Sequence, residues 1–379
     1  MRIFHLVFIS VLLVALVVSG KKIAANLHQE AIQQATKNLE LTRDIRIAQL
    51  NSEVKTMYSE NRFWAESKLV KEGMSQVLKG WNLLSIDPKN TARKLYITDN
   101  PLFPNYTANY LNANDGSLYS ASHEKIHKLL RGLTNNRGYY DVYLIANNGD
   151  IVYTVYKEDD YATNLLTGKY RDSTLGQGFR EVQESTNLNH VALYDFTPYQ
   201  PSNNKPASFI LSSIVDNNNR TQGIIAFQLP TEALDKILKS VVTKNKKITI
   251  MPVGPDHLLR NRTEQEKIKE KQNNAAITKA LEGKTGIENI IESDQKTYLT
   301  AYAPFNFSMN ILGNTNKNTW GIIVKQDINE VLDPVNKHIK KWLSLLLGLA
   351  LLSLLLSWLF TRGKEDLAIT EEEETHRPV

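Results

Sequence analysis

Tyr140-Asp-Val-Tyr-Leu-Ile-Ala146, then Asn147-Asn-Gly-Asp150, then Ile151-Val-Tyr-Thr-Val-Tyr156 is the stretch on which the fold turns. β-branched and aromatic residues fill both flanks, and Asn148-Gly149 between them suits the positive φ angles of a tight hairpin turn. The stretch therefore reads as strand, turn, strand. Val191 to Phe196, Ser208 to Val215 and Gly223 to Leu229 supply three further strands, with Asn217-Asn218-Asn219 turning between the last two. A short helix is expected before the hairpin, near Ser122 to Leu133, and another after the last strand, over Thr231 to Val241. Five antiparallel strands between helices make an α+β module.

A smaller cycle follows. Ile248 to Met251 reads as a strand and Gly254-Pro-Asp256 as a turn. Glu264 to Gly283 reads as mostly helix, Thr297 to Ala303 and Trp320 to Gln326 as strands, and Asn329 to Lys341 as a closing helix. The body thus looks like one plan used twice. Upstream, Lys21 to about Leu84 reads as helix, with Ile23, Leu27, Ala31, Ala35, Leu39, Ile45, Ile47 and Leu50 at roughly helical spacing. Such a stalk either pairs with its own copy in a dimer or lays one face on the protein's own sheets.

Two uncharged apolar runs bracket this body. Ile3 to Gly20 lies between Arg2 and Lys21, and Trp342 to Phe360 between Lys341 and Arg362. At about 18 and 19 residues each is long enough to cross a bilayer of roughly 30 Å as a helix. The first run could also be a cleaved signal peptide, but Val17-Val18-Ser19-Gly20 lacks a clear small-x-small site, which favours an uncleaved anchor. The expected divisions are 3–20 for the first transmembrane helix and 21–94 for the stalk and N-terminal helices. A membrane-distal module then covers 95–241, a membrane-proximal module 242–336, the second transmembrane helix 342–360, and a short acidic tail 361–379. The tail, with Glu371 to Glu374, is expected to be solvated and disordered.

With 42% hydrophobic and 22% charged residues, the chain has the composition of a globular protein. It contains no cysteine, which excludes disulfides, thiolate metal sites and Cys nucleophiles. The net charge of +5 is spread without a dense basic face, so no nucleic-acid partner is expected. Lys337, His338, Lys340 and Lys341 stand where anionic lipid headgroups would meet them. Counting lysines and arginines beside the two runs leans toward a cytoplasmic body, although the rule holds poorly for long domains.

Several blocks in one order resemble a known family. They are Gly138-Tyr-Tyr-Asp-Val-Tyr-Leu-Ile145, Gly149 to Glu158, Thr163-Asn-Leu165, Gly168-Lys-Tyr-Arg-Asp-Ser173, Asp195-Phe-Thr-Pro-Tyr-Gln-Pro-Ser202, Pro206 to Phe209 and Gly223 to Pro230. Val253 to Arg260 and Ala301-Tyr-Ala-Pro304 follow. Together they resemble the double Cache domain of bacterial extracytoplasmic sensors, over most of Tyr139 to Asp327. The resemblance implies two PAS-like antiparallel-sheet modules behind a long stalk helix, flanked by two transmembrane helices. It also implies a body outside the cytoplasm, in the periplasm of a bacterial inner membrane over 21–341. A small metabolite would bind in the distal module. Relatives that bind amino acids carry an Arg-x-Trp-Tyr cluster, which this sequence lacks.

Tyr153, Tyr156, Tyr161, Tyr170, Tyr194 and Tyr199 cluster in sequence with Ser173, Asp195 and Ser202. Aromatic walls with a few fixed polar groups suit a small ligand. The expected ligand-binding set is Tyr153, Tyr156, Tyr170, Ser173, Asp195, Tyr199, Ser202 and Phe209. A buried Asp195 would need a cationic or multiply hydrogen-bonding partner. Taken singly, each tyrosine reads equally as a half-buried strand residue.

His123-Glu124-Lys125-Ile126-His127 has the HExxH spacing of a zinc peptidase, but no suitable third ligand follows it. His190, Asp195 and Ser202 are too common as types to mark a triad, and no P-loop or Rossmann glycine pattern occurs. No catalytic residue, metal ligand or cofactor is expected. The expected function is a two-pass, homodimeric membrane sensor that binds a small molecule, relays it through the flanking helices and signals through a separate partner. The alternatives are a membrane-tethered scaffold for an envelope partner and, more remotely, the zinc peptidase.

Overall fold

The computed structural model describes residues 2–229, 231–239, 241–243, 246–260, 271–307 and 319–375. Helix α1 (Arg2–Glu66) is one unbroken rod of 65 residues, roughly 100 Å long. The first apolar run and the stalk are therefore parts of a single helix. The expected helix through Leu84 is interrupted at Ser67, whose hydroxyl accepts the Val70 N–H and caps α2 (Lys68–Leu84). Leu39, Leu50, Val54, Met57 and Ala65 of α1 are buried, whereas Ile23, Leu27 and Ile45 are exposed. The buried stripe packs on the protein's own sheets. Asn61, fully buried in that stripe, donates to the Ile210 carbonyl (3.3 Å) and accepts from Ser212.

Helices α3 (Pro88–Arg93) and α4 (Leu118–Arg137) lead into the first sheet. Gly80 lets α2 and α4 approach closely, since a Cβ there would lie 2.5 Å from Tyr119 Cα. The sheet contains β1 (Asp141–Ala146), β2 (Ile151–Thr154), β3 (Val191–Tyr199), β4 (Lys205–Val215) and β5 (Thr221–Gln228), in the order β2-β1-β5-β4-β3 and antiparallel. At the β1–β2 turn Gly149 has a φ of +87° and donates to the Ala146 carbonyl. The inner face meets α1, α2 and α4. The outer face carries Tyr143, Ile145, Phe209, Leu211, Ile224 and Ala226 under α5 (Thr174–Glu184).

The second sheet holds β6 (Val241–Thr243), β7 (Lys246–Val253), β8 (Gly286–Ile291), β9 (Thr297–Asn306) and β10 (Thr319–Asp327), in the order β6-β7-β10-β9-β8. Helix α6 (Thr231–Ile237) connects the sheets, and α7 (Ala275–Leu281) covers the second sheet's outer face. Each sheet ends in the same three-strand meander. They differ at the opposite edge, where β2 follows the inner strand in sequence but β6 precedes it. Of the long helix expected over Glu264 to Gly283, residues 261–270 lie outside the described ones, and within 271–283 the helix is confined to α7.

One continuous core runs from the distal helices to Trp320, Ile322 and Val324 of β10. Helix α1 joins the sheets along their length. Lower down, Arg43 donates to the carbonyls of Gly286 (3.3 Å) and Tyr302 (3.4 Å). Helix α8 (Ile328–Thr375) leaves β10 directly and runs beside α1, with His28 Nε2 and Asn336 Oδ1 2.8 Å apart. Among the described residues, Ile328–Leu356 is the helical stretch long and apolar enough to cross a membrane. The first expected span is helical, and the side chains of residues 3–13 lie outside those described. Contrary to the expected disorder of the tail, α8 stays helical to Thr375; 376–379 lie outside the described residues.

Candidate functional site

The outer face of the distal sheet brings four of the eight expected residues together. Tyr170 lies 6.4 Å from Tyr199, ring centre to ring centre, and Tyr199 lies 4.9 Å from Phe209. Ser202, in the turn after β3, donates to Glu158 Oε2 (2.6 Å) and accepts from Gln228 Nε2 (3.2 Å). Ser173 stands at the edge of the group, where it caps α5 by accepting the Gly176 N–H.

Three expected residues stand elsewhere. Tyr153 is on the inner side, its hydroxyl 2.8 Å from His127 Nδ1. Tyr156 is 38% exposed and stacks on Tyr140 at the rim, with ring centres 5.7 Å apart. Asp195 lies at the junction of the two modules. Its carboxylate accepts from Arg260 Nε and Nη2 (2.9–3.2 Å) and from Trp320 Nε1 (3.0 Å). The cation that a buried Asp195 demands is thus supplied by the proximal module. Burial raises the Asp195 carboxyl, while Arg260 and the Trp320 and Phe196 N–H groups oppose the rise. Gly254 makes room for Arg260, because a Cβ there would lie 2.0 Å from Nη2.

The outer face also gathers residues absent from the expected set. Tyr143, from the middle of β1, donates to Gln228 Oε1 at the end of β5 (3.0 Å). Tyr199 donates to Asp160 Oδ2 (2.6 Å), and Tyr140 to Glu158 Oε1 (2.6 Å). Asp141, at the start of β1, accepts the N–H groups of Val142 (2.7 Å), Val155 (2.8 Å) and Tyr156 (3.3 Å). Asp160 is fully buried, and its Oδ1 has no hydrogen-bond partner. Burial lifts its carboxyl to about 7, with Glu158 adding to the rise, against the lowering effect of the Tyr199 and Tyr143 hydroxyls. Burial likewise raises Asp141, with Asp160 and Glu158 adding to the rise, and raises Glu158 itself.

The segment that carries Glu158 and Asp160 holds two non-glycine residues in the left-handed region, Lys157 (φ 56°) and Ala162 (φ 58°). Lys157 points its ammonium away from the acids. It donates to the carbonyls of Thr154 (3.2 Å) and Val155 (3.1 Å) and lies over the Tyr96 and Tyr153 rings. Burial lowers it to about 7. The face is closed in this structure, with Asp160, Tyr143, Tyr199 and Phe209 all buried. Cavities of about 240 and 310 Å³ lie elsewhere, one beside His257 and Glu282, the other beside Arg62 and Asp216.

The HExxH string does not form a metal centre. His123 and His127 stack with ring centres 4.9 Å apart, but His127 uses Nδ1 on Tyr153 and Nε2 on the Ala108 carbonyl (2.8 Å). His123 Nδ1 is 2.7 Å from the Leu111 carbonyl. Glu124 faces outward to Lys128 (2.6 Å) and Asn112 (3.0 Å). Burial pushes His127 down to about 2 and His123 well below its usual range, so both are neutral packing groups.

Two five-stranded antiparallel sheets are strung along one helix, with an enclosed polar face on the first of them. The Cache domain model matches residues 24–335, and the chain belongs to the Cache domain family. No curated protein matches the chain. Among solved structures it is similar to the extracellular domain of vpHK1S-Z8, described as a histidine kinase, at 10% identity and a TM-score of 0.48, covering 82% of this chain and 96% of that one. It is also similar to the ligand-binding domain of the Campylobacter jejuni chemoreceptor Tlp3 in complex with L-valine (10%, TM-score 0.47, 80% and 97%). A third is the ligand-binding domain of the Pseudomonas fluorescens chemoreceptor CtaA in complex with L-isoleucine (11%, TM-score 0.37, 55% and 77%).

Proposed function

We propose that this chain is a membrane-anchored extracytoplasmic sensor whose distal module binds a small molecule on the outer face of its sheet. The observation that carries the reading is the enclosed group of Tyr143, Tyr170, Tyr199 and Phe209 around polar side chains, one of them a buried carboxyl with an unpartnered oxygen. Buried polar groups are normally satisfied, and exceptions concentrate at functional sites. The ligand would enter by moving the segment 155–173, whose left-handed residues store conformational strain. In this reading residues 21–341 lie in the periplasm of a bacterial inner membrane, between two spans. The chain pairs with a second copy along the exposed side of α1, where Leu41, Ile45 and Phe63 face outward. It passes its state to a separate signalling partner through α1 and α8.

Ligand can drive such a relay only through a difference in affinity between two conformations. The continuous core and the Asn61 contacts to β4 give the distal sheet a direct hold on α1. A scaffold that holds an envelope partner is the second reading, and the closed state of the outer face favours it. Thermal unfolding of the full chain in detergent, against amines, carboxylates, sugars and purines, separates the two. Stabilisation by one compound class supports the sensor, whereas a flat response across all classes supports the scaffold.

A further inference from the structure

We propose that the outer-face site takes a protonated amine that carries no carboxylate, its ammonium seated at Asp160 and Glu158. The inference rests on the sensor reading and names the ligand class. Asp141, Glu158 and Asp160 stand on one enclosed face: Asp141 is opposite Gln228 on the neighbouring strand, Ser202 bridges Gln228 to Glu158, and Tyr199, packed on Phe209, holds Asp160. Among the described residues no ion pair reaches any of the three. The adjacent cations point elsewhere. Lys157 is turned to backbone carbonyls on the inner side, and Arg93 donates to the carbonyls of Asp159 (3.1 Å) and Tyr161 (2.7 Å). Lys205, whose charge reaches Glu158, is exposed.

The hydrogen-bond inventory points the same way. Tyr199 and Tyr140 already donate to Asp160 and Glu158, and Tyr143 and Ser202 donate to Gln228 and Glu158. Donors native to the site are used up, while Asp160 Oδ1 remains an open acceptor. An ammonium brings three donors and the opposite charge. The tyrosine rings around it add a favourable ring–cation attraction. A ligand carboxylate or phosphate would instead meet buried carboxyls, while the lysines beside the site, Lys169 over the Tyr170 ring (5.1 Å) and Lys205, are exposed at its rim, so its burial there is costly. The site therefore discriminates against amino acids and for plain amines.

Calorimetry on the full chain in nanodiscs tests this with matched probes. They are butylamine, putrescine and tyramine against butyrate, butyramide and tyrosine. The expected result is binding by at least one amine and weaker or no binding by its acid, amide or amino-acid counterpart. Asp160→Asn, nearly isosteric, should weaken that amine about ten- to hundredfold, the range for losing a hydrogen bond to a charged group. Asp160→Glu should recover part of the loss, and circular dichroism should show both variants folded. Equal amine binding by Asp160→Asn overturns the proposal, because the amine then sits elsewhere. Binding of an acid, amide or amino acid that Tyr199→Phe weakens but Asp160→Asn does not overturns the amine class and leaves the sensor reading standing. No binding by any probe overturns the amine class, and the sensor reading then stands or falls on the wider thermal screen of carboxylates, sugars and purines.

Discussion

Replacing Arg260 with methionine removes the guanidinium at the module junction and keeps most of its aliphatic packing. Asp195, 8% exposed, then loses both Arg260 nitrogens and retains only the Trp320 and Phe196 N–H groups. Breaking a buried pair from one side costs about 3–5 kcal/mol. Protonation sets a ceiling on that cost. Neutralising a carboxyl of ordinary value about 3.9 at pH 7 takes about 4 kcal/mol, at about 1.4 kcal/mol per pH unit, and at pH 5 only about 1.5 kcal/mol. With two donors left, the expected loss at pH 7 is about 3 kcal/mol. Burial already raises Asp195 in the parent, and losing Arg260 raises its folded-state value further, so the variant's folded form binds more proton than the parent's and the deficit shrinks as pH falls. Denaturant unfolding of the full chain in detergent, followed by tryptophan fluorescence at pH 7 and pH 5, reads this directly. Adding Asp195→Asn to Arg260→Met should recover much of the loss. A deficit below about 1 kcal/mol, or one equal at both pH values, would refute a buried charge pair joining the modules.

Gly254→Ala should give the same pH signature in the same assay, since its Cβ would displace Arg260 Nη2 from 2.0 Å; wild-type behaviour would show that the guanidinium has other room. Gly80→Ala should lower the melting temperature through a loss of about 1–3 kcal/mol, because its Cβ would meet the Tyr119 backbone at 2.5 Å and force α2 from α4. His127 stays neutral in the folded state down to about pH 2, whereas its unfolded form takes a proton near pH 6.5. The parent therefore loses stability through this residue as pH falls, and the deficit of His127→Gln relative to it should narrow by about 1.4 kcal/mol per pH unit below about 6.5. Denaturation midpoints from pH 7 to pH 5 check this, and a constant gap would contradict a neutral buried imidazole.

The parts of the fold that were legible in the sequence are the locally encoded ones. Alternation and Asn148-Gly149 mark the β1–β2 hairpin, and β3, β4, β5, β9 and β10 begin or end within a few residues of their apolar runs. Helix α5 was hidden because Gly176 and Gly178 depress helix propensity; the Ser173 cap and the burial of Leu175, Phe179 and Val182 hold it in place. Strand β8 was hidden as well, since as an edge strand it buries only Ile290 fully. Of the residues gathered on the outer face, Tyr170, Tyr199, Ser202 and Phe209 were legible as aromatic and hydroxyl residues near strand ends. Asp160 and Glu158 were not, because four consecutive charged residues from Lys157 carry no hydrophobic period to betray burial. Asp195 was legible as a residue needing a cation. Its partner, 65 positions on in a loop after β7, follows only from the docking of one module on the other.

The central claim is that the distal outer face binds a small molecule. Its most direct test is the melting temperature of the full chain in detergent across a metabolite library, run in parallel on Tyr199→Phe. That variant keeps the ring against Phe209 and removes only the hydroxyl on Asp160. The account predicts a compound that stabilises the wild type by about 2.7 kcal/mol at a hundred times its dissociation constant, with a smaller effect on the variant. No stabilising compound, or equal stabilisation of both proteins, would contradict it.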